Sequence, residues 1–256
     1  MRLAPLRAVV LALVFGASRL GAVCGQDPGA DARYKQAAEA FRHAIGKRHE
    51  SPSGPEWRTL LIESSRLFEQ IASDLESDES DVAWLYLVRV AYEAGDWNGV
   101  ARAADRAHAF WDSPESRARA TREPSDSTER TSHVAAIDYW RAAALVAAHD
   151  DDAALPILEA FRAKYGEQAS LYLGSALMLQ IEVLLRREAF EAAAPLIFRA
   201  SREFPGRIQL PEMVARLAEH YRGQDQEIQR KIDNLVARNV ALRQRIRSPT
   251  VQPDGK

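Results

Sequence analysis

DVAWLYLVRVAYEAGDWNGVARAADRAHAFWDSP (81–114) is the stretch whose reading decides the fold. Its apolar residues recur at three- and four-residue spacing, the period of a helix with one buried face, on both sides of a break at Gly95-Asp96. Gly95 suits the left-handed residue that ends one helix, and Asp96 suits the cap that opens the next. The two halves therefore read as a helix hairpin. Trp84 and Leu87 of the first helix are expected in the core, against Ala104 and Ala107 of the second. Small side chains at that crossing let helix axes approach to about 8–10 Å.

The same period runs through nearly every segment between 31 and 247, rich in Ala, Leu, Arg and Glu and without alternating β-branched runs. It predicts helices at about 32–48, 57–76, 81–94, 97–111, 134–149, 153–165, 169–187, 189–203, 209–222 and 225–247. Breaks fall at SPSGP (51–55), SDES (77–80), DDD (150–152), Gly166 and FPG (204–206). The fold class is all-α, with short turns that favour antiparallel neighbours. Residues 112–133, DSPESRARATREPSDSTERTSH, offer almost nothing to bury and are expected as a flexible loop, and 248–256 as a disordered tail. Pro156 is expected in the first turn of its helix, where the missing N–H is harmless, and Pro195 is expected to bend its helix.

The 81–114 stretch resembles a 34-residue tetratricopeptide repeat. Trp84, Leu87, Gly95, Asp96, Trp97, Ala104, Ala107 and Pro114 stand near the signature positions of that family, while Val88 and Val100 replace its small residues. YKQAAEAFRHAI (34–45) and REAFEAAAPLIFRASREFP (187–205) carry fragments of the second-helix pattern. Trp140 follows Trp84 by 56 residues, one repeat plus the 22 residues of 112–133. AALPIL (153–158) and AAAPLI (192–197) echo each other 39 residues apart, with Tyr165 matching Phe204 at the same offset.

The resemblance spans roughly 32–222 and implies a tetratricopeptide-like α-solenoid over 26–222. It implies binding of a protein or peptide in a groove lined by first helices. Carried over by position, that groove holds Val82, Leu85, Arg89, Tyr92 and Glu93, then Asp138, Arg141, Leu145, Ala148 and His149. Relatives that grip a C-terminal carboxylate use Lys and Asn there. The Asn residues of this chain, Asn98, Asn234 and Asn239, stand elsewhere.

No catalytic constellation is legible. The six histidines lack HExxH spacing, and Gly-rich phosphate loops and G-x-S-x-G elbows are missing. His149 beside Asp150, Asp151 and Asp152 falls at an interhelix turn, where it reads as capping chemistry rather than a metal site. Glu182 and Glu188 read as surface charges. The expectation is a non-catalytic protein without cofactor, the alternative a helical extracytoplasmic enzyme acting on envelope polymers.

The chain's ends carry further expectations. Arg2 and Arg7, the apolar run AVVLALVFGA (8–17) and small residues at Ala22 and Cys24 have the layout of a secretory signal peptide over 1–25. The destination is then periplasmic or secreted, or a lipid anchor on Cys24, with no transmembrane anchor in the mature chain. Removing Arg2, Arg7 and Arg19 leaves 31 basic against 36 acidic side chains. That balance excludes the basic footprint of a sequence-independent nucleic-acid binder. Within a C-terminal helix at 223–247, Ile228, Leu235 and Leu242 interleave with Ile232, Asn239 and Ile246 at alternating 4,3 spacing, a coiled-coil seam. It serves either a homodimer through 225–247 or a helix folded back on its own chain. Lys231, Arg238 and Arg245 offer a second chain no attractive flank.

Overall fold

A computed structural model describes residues 28–74, 79–117, 124–166 and 170–247. The expected signal peptide and tail lie outside them. Among the described residues there is no strand, and the fold is all-α. The helices are α1 (Pro28–Glu50), α2 (Glu56–Ala72), α3 (Ser80–Ala94), α4 (Trp97–Asp112), α5 (Pro124–Ala147), α6 (Asp151–Tyr165), α7 (Ser170–Arg186), α8 (Phe190–Glu203), α9 (Leu210–Tyr221) and α10 (Gln226–Arg247). The chain divides into two compact units, Met1–Glu123 and Pro124–Lys256.

In the first unit α1 packs on α2, α2 on α3 and α3 on α4. Phe68 of α2 stacks on Tyr86 of α3 at 4.6 Å, with Tyr34 and Phe41 of α1 meeting them edge-on. Ser64, fully buried on α2, donates its hydroxyl to the Ala37 carbonyl at 3.1 Å. A small polar side chain there lets α1 and α2 close up without leaving a buried hydroxyl unsatisfied.

In the second unit each helix from α5 to α10 packs on the next, and α7 also touches α5 and α9. Ile181 and Leu185 of α7, Ile197 of α8, Leu210 and Leu217 of α9 and Ile232 of α10 share one core. The first half of α10 is thus folded back on its own unit. The side chains of Asn239, Leu242 and Ile246 lie outside the described residues.

Three hairpins turn in the same way. Gly95, His149 and Glu188 hold φ of 75°, 62° and 57°, and each is followed at once by the N-cap position of the next helix, where Asp96 and Asp150 cap with their side chains and Ala189 does not. In each, two backbone N–H groups reach back to the last turn, as from Gly95 and Asp96 to the Tyr92 and Ala91 carbonyls at 3.0 Å. His149 and Asp150 reach Val146 and Leu145 in the same pattern, and Glu188 and Ala189 reach Leu185 and Leu184. The second helices then bury matching positions: Val100, Ala104, Ala107 and Trp111 in α4, then Ala154, Leu158, Phe161 and Tyr165 in α6. In α8 Ala193, Ile197 and Ala200 follow, all buried, with Phe204 packed on the core.

Anchored on these turns, the register corrects three expectations. Gly95 and His149 are 54 residues apart, so Trp84 corresponds to Asp138 rather than to Trp140. Asp150 caps α6 by accepting the Ala153 N–H at 3.2 Å, which puts Pro156 beyond the first turn, where Asp152's carbonyl loses its donor. Helix α5 starts at Pro124, so the latter part of 112–133 is helical, as are 114–117. A proline suits a first helical position, and a polar stretch needs no burial of its own when it continues a helix buried further on.

Candidate functional site

The expected groove residues of the first unit are largely committed to its internal packing. Arg89 is only 8 % exposed, its guanidinium 5.3 Å from the Phe41 ring. Glu93 is gripped by Arg48 of α1 at 2.7 Å, and the same guanidinium donates to the Glu93 carbonyl at 2.8 Å. Val82, Leu85 and Tyr92 are half-buried, Tyr92 lying against Trp97 with ring centres 5.6 Å apart. Arg89 is therefore structural here. Arg89→Ala should lower stability by about 1–3 kcal/mol in chemical denaturation, since both the stem's packing and the ring contact go.

In the second unit Asp138 is also buried. It accepts the Tyr165 hydroxyl and the Lys164 ammonium, the latter at 2.8 Å. Burial first, and the Asp138 carboxylate second, push the Tyr165 hydroxyl's ionisation upward, so it stays a donor. Arg141 and Leu145 are half-buried, and Ala148 and His149 are exposed.

The acidic turn after His149 is consumed by structure. Asp150 caps α6, Asp151 holds Arg186 through both carboxylate oxygens, and Asp152 pairs with Arg187 at 2.8 Å. Arg186 also donates to the Val146 carbonyl and to His149 Nδ1 at 3.1 Å. Among the described residues no group of three His, Cys, Asp or Glu is placed to hold a metal ion.

Glu182 departs from the surface role expected of it. It is half-buried on α7, and that burial pushes its carboxyl above the ordinary range. Arg186 opposes the shift, Asp151 and Glu212 add to it, and Arg216, which donates to the Leu185 carbonyl at 2.8 Å, opposes it weakly. The folded chain thus holds this proton more tightly than the unfolded one. The penalty of ionising Glu182 is absent below the ordinary glutamate range and grows as pH rises through the raised value. Glu182→Gln should therefore melt higher than wild type at pH 7 and converge with it below about pH 4. Thermal melts at both pH values read this.

A hollow of about 110 Å³ opens between α6, α7 and α8. Leu158, Phe161, Leu177 and Phe204 line it together with four polar side chains, Glu159, Arg162, Gln180 and Arg199. Arg162 is held by Glu203 at 2.7 Å. Arg199 has no hydrogen-bond or ion-pair partner among the described residues, and its Nε–H is buried. Helical periodicity marks which faces are apolar, but a void depends on the relative sizes of side chains from three helices. Sequence patterning therefore passed over it.

The hollow thus combines apolar side chains with a guanidinium donor that has no acceptor among the described residues. Among the described residues no helix is long and apolar enough to cross a membrane. No protein-family model, no curated protein and no solved structure matches the chain.

Proposed function

We propose that the chain is an exported, non-catalytic scaffold of stacked helix hairpins, similar to tetratricopeptide-repeat proteins, that binds a protein segment in the cell envelope. The observation that carries this reading is the common register of α3–α4, α5–α6 and α7–α8. Three hairpins share one turn and one set of buried second-helix positions. Within the second unit the first helices α5 and α7 touch each other, the arrangement by which repeated hairpins make extended binding surfaces. The expected groove is narrower in chemistry than the resemblance implied, because Arg89, Glu93 and Asp138 are occupied internally. Leu145, half-buried, is its remaining candidate contact in the second unit.

Export rests on the basic start, apolar run and small residues of 1–25. Sequencing of secreted material should start near Gly25 or Gln26. A diacylated Cys24 would select the lipid-anchored form, and a product retaining Met1 would remove export. For binding, a photo-crosslinking residue at Leu145 should trap a discrete partner in exporting cells, while one at the exposed Asp105 of α4 should not. Equal trapping at both sites, or turnover of an envelope polymer by the purified chain, would overturn the scaffold reading.

A further inference from the structure

The hollow between α6, α7 and α8 has a filled counterpart in the same chain. With Gly95 and Glu188 superposed as the left-handed turn residues, α3–α4 and α7–α8 match position by position. Ala83 then corresponds to Ala176, Val88 to Ile181, Val100 to Ala193 and Ala107 to Ala200, and all eight are buried. In this register Trp84 corresponds to Leu177 and Arg106 to Arg199.

In the first unit the Trp84 ring fills its place, with the Arg106 guanidinium 4.9 Å from its centre. In the second unit Leu177 is much smaller than an indole, and Gln180 stands where Leu87 does. The hollow lies against both residues. Arg199 lines it at the position Arg106 holds beside Trp84, and its buried Nε–H has no acceptor among the described residues. We infer that this hollow receives an aromatic side chain, a tryptophan by preference, from a partner protein. That ring lies under Arg199 as Trp84 lies under Arg106.

Size and chemistry agree. An apolar cavity of about 150 Å³ takes up benzene. A partly open hollow of about 110 Å³ has room for most of a ring, with apolar contact from Leu158, Phe161, Leu177 and Phe204 and polar contact from Gln180 and Arg199. Guanidinium over an aromatic face is attractive, and an indole face most of all. An aliphatic side chain would fill the space without engaging Arg199. The inference rests on the scaffold reading for its partner, but the hollow is tested without one.

The full chain, with its leucine methyl groups carbon-13 labelled, is titrated with indole. Blocked pentapeptides carrying one central tryptophan or one central leucine follow, monitored by methyl shifts. The tryptophan peptide should move Leu158, Leu177 and Leu196, and the leucine peptide should bind at least about fivefold more weakly. Arg199→Met, which keeps the aliphatic stem, should weaken the tryptophan peptide by about five- to tenfold. Leu177→Trp should fill the hollow from within and abolish the response. If that variant loses its helical circular dichroism, Arg199→Met decides alone. No shift at these methyls, equal binding by the leucine peptide, or an unaltered Arg199→Met response would overturn the inference. Binding of indole with exclusion of the tryptophan peptide would also overturn it, in favour of a free aromatic ligand. Trapping at Leu145 is read separately, so failure at the hollow with trapping intact removes this inference and leaves the scaffold standing.

Discussion

Trp84→Ala should destabilise the protein by about 3–5 kcal/mol, the range for removing a large aromatic side chain from a core. The indole is 6 % exposed, lies 6.1 Å from Phe110 and sits beneath Arg106. Truncation removes its transfer free energy, opens a cavity between two helices and strands a guanidinium that also reaches Glu69 at 3.6 Å. The buried indole N–H has no acceptor among the described residues, so truncation breaks no hydrogen bond and the cost comes from packing. Ile62→Ala is the control, because Ile62 is 71 % exposed and its removal should stay within about ±0.5 kcal/mol. Urea denaturation of both variants reads the difference. Equal costs would mean that the face assigned to the core is wrong.

How far the sequence carried this reading follows from what a periodic pattern encodes. It states which face of a helix is apolar, so the all-α class and the burial of Trp84, Leu87, Ala104 and Ala107 were legible. Gly95-Asp96 was legible because each residue has a local reason to be there, a positive φ and a side-chain acceptor for the Gly99 N–H at 2.8 Å. The other two turns use His149 and Glu188 in the same left-handed region, where a side chain is disfavoured and no glycine marks the place. The 39-residue echo between their helices was visible, whereas its anchor was not. Without that anchor the sequence pairs Trp140 with Trp84, two residues from the Asp138 that the turns align with it.

Which of the groove residues are drawn inward was hidden for a related reason. A groove assigned by position takes Arg, Glu and Asp to face solvent by default. Which polar side chain is drawn inward depends on a neighbour from another helix: Phe41 under Arg89, Arg48 against Glu93, Tyr165 and Lys164 on Asp138. None of these pairings leaves a mark in either helix's own pattern. The hollow illustrates the same limit, since Leu177 looks like any core leucine until its counterpart is seen to be a tryptophan.

Ile232→Ala should cost about 2–4 kcal/mol, because Ile232 has no exposed surface and belongs to the core of the second unit. Asp225 accepts the Glu227 and Ile228 N–H groups at 2.8 and 3.0 Å and opens α10, two residues after a left-handed Gly223. That turn lays α10 on α9, with Ile228 and Leu235 half-buried against the same core as Leu217 and Tyr221. Ile228, Ile232 and Leu235 are the opening residues of the heptad seam, so that part of the surface a parallel partner would need is covered from within. A dimer through 225–247 would have to peel α10 away and expose Leu217 and Tyr221, a loss that three heptads without favourable flanking charges do not recover. The expected result by light scattering is a monomer of the full chain, unchanged in mass by Asn239→Leu. Deleting 224–256 should uncover Leu217 and Tyr221 and increase binding of an apolar dye. A dimer whose mass shifts with Asn239→Leu, together with an Ile232→Ala variant as stable as wild type, would overturn the folded-back arrangement.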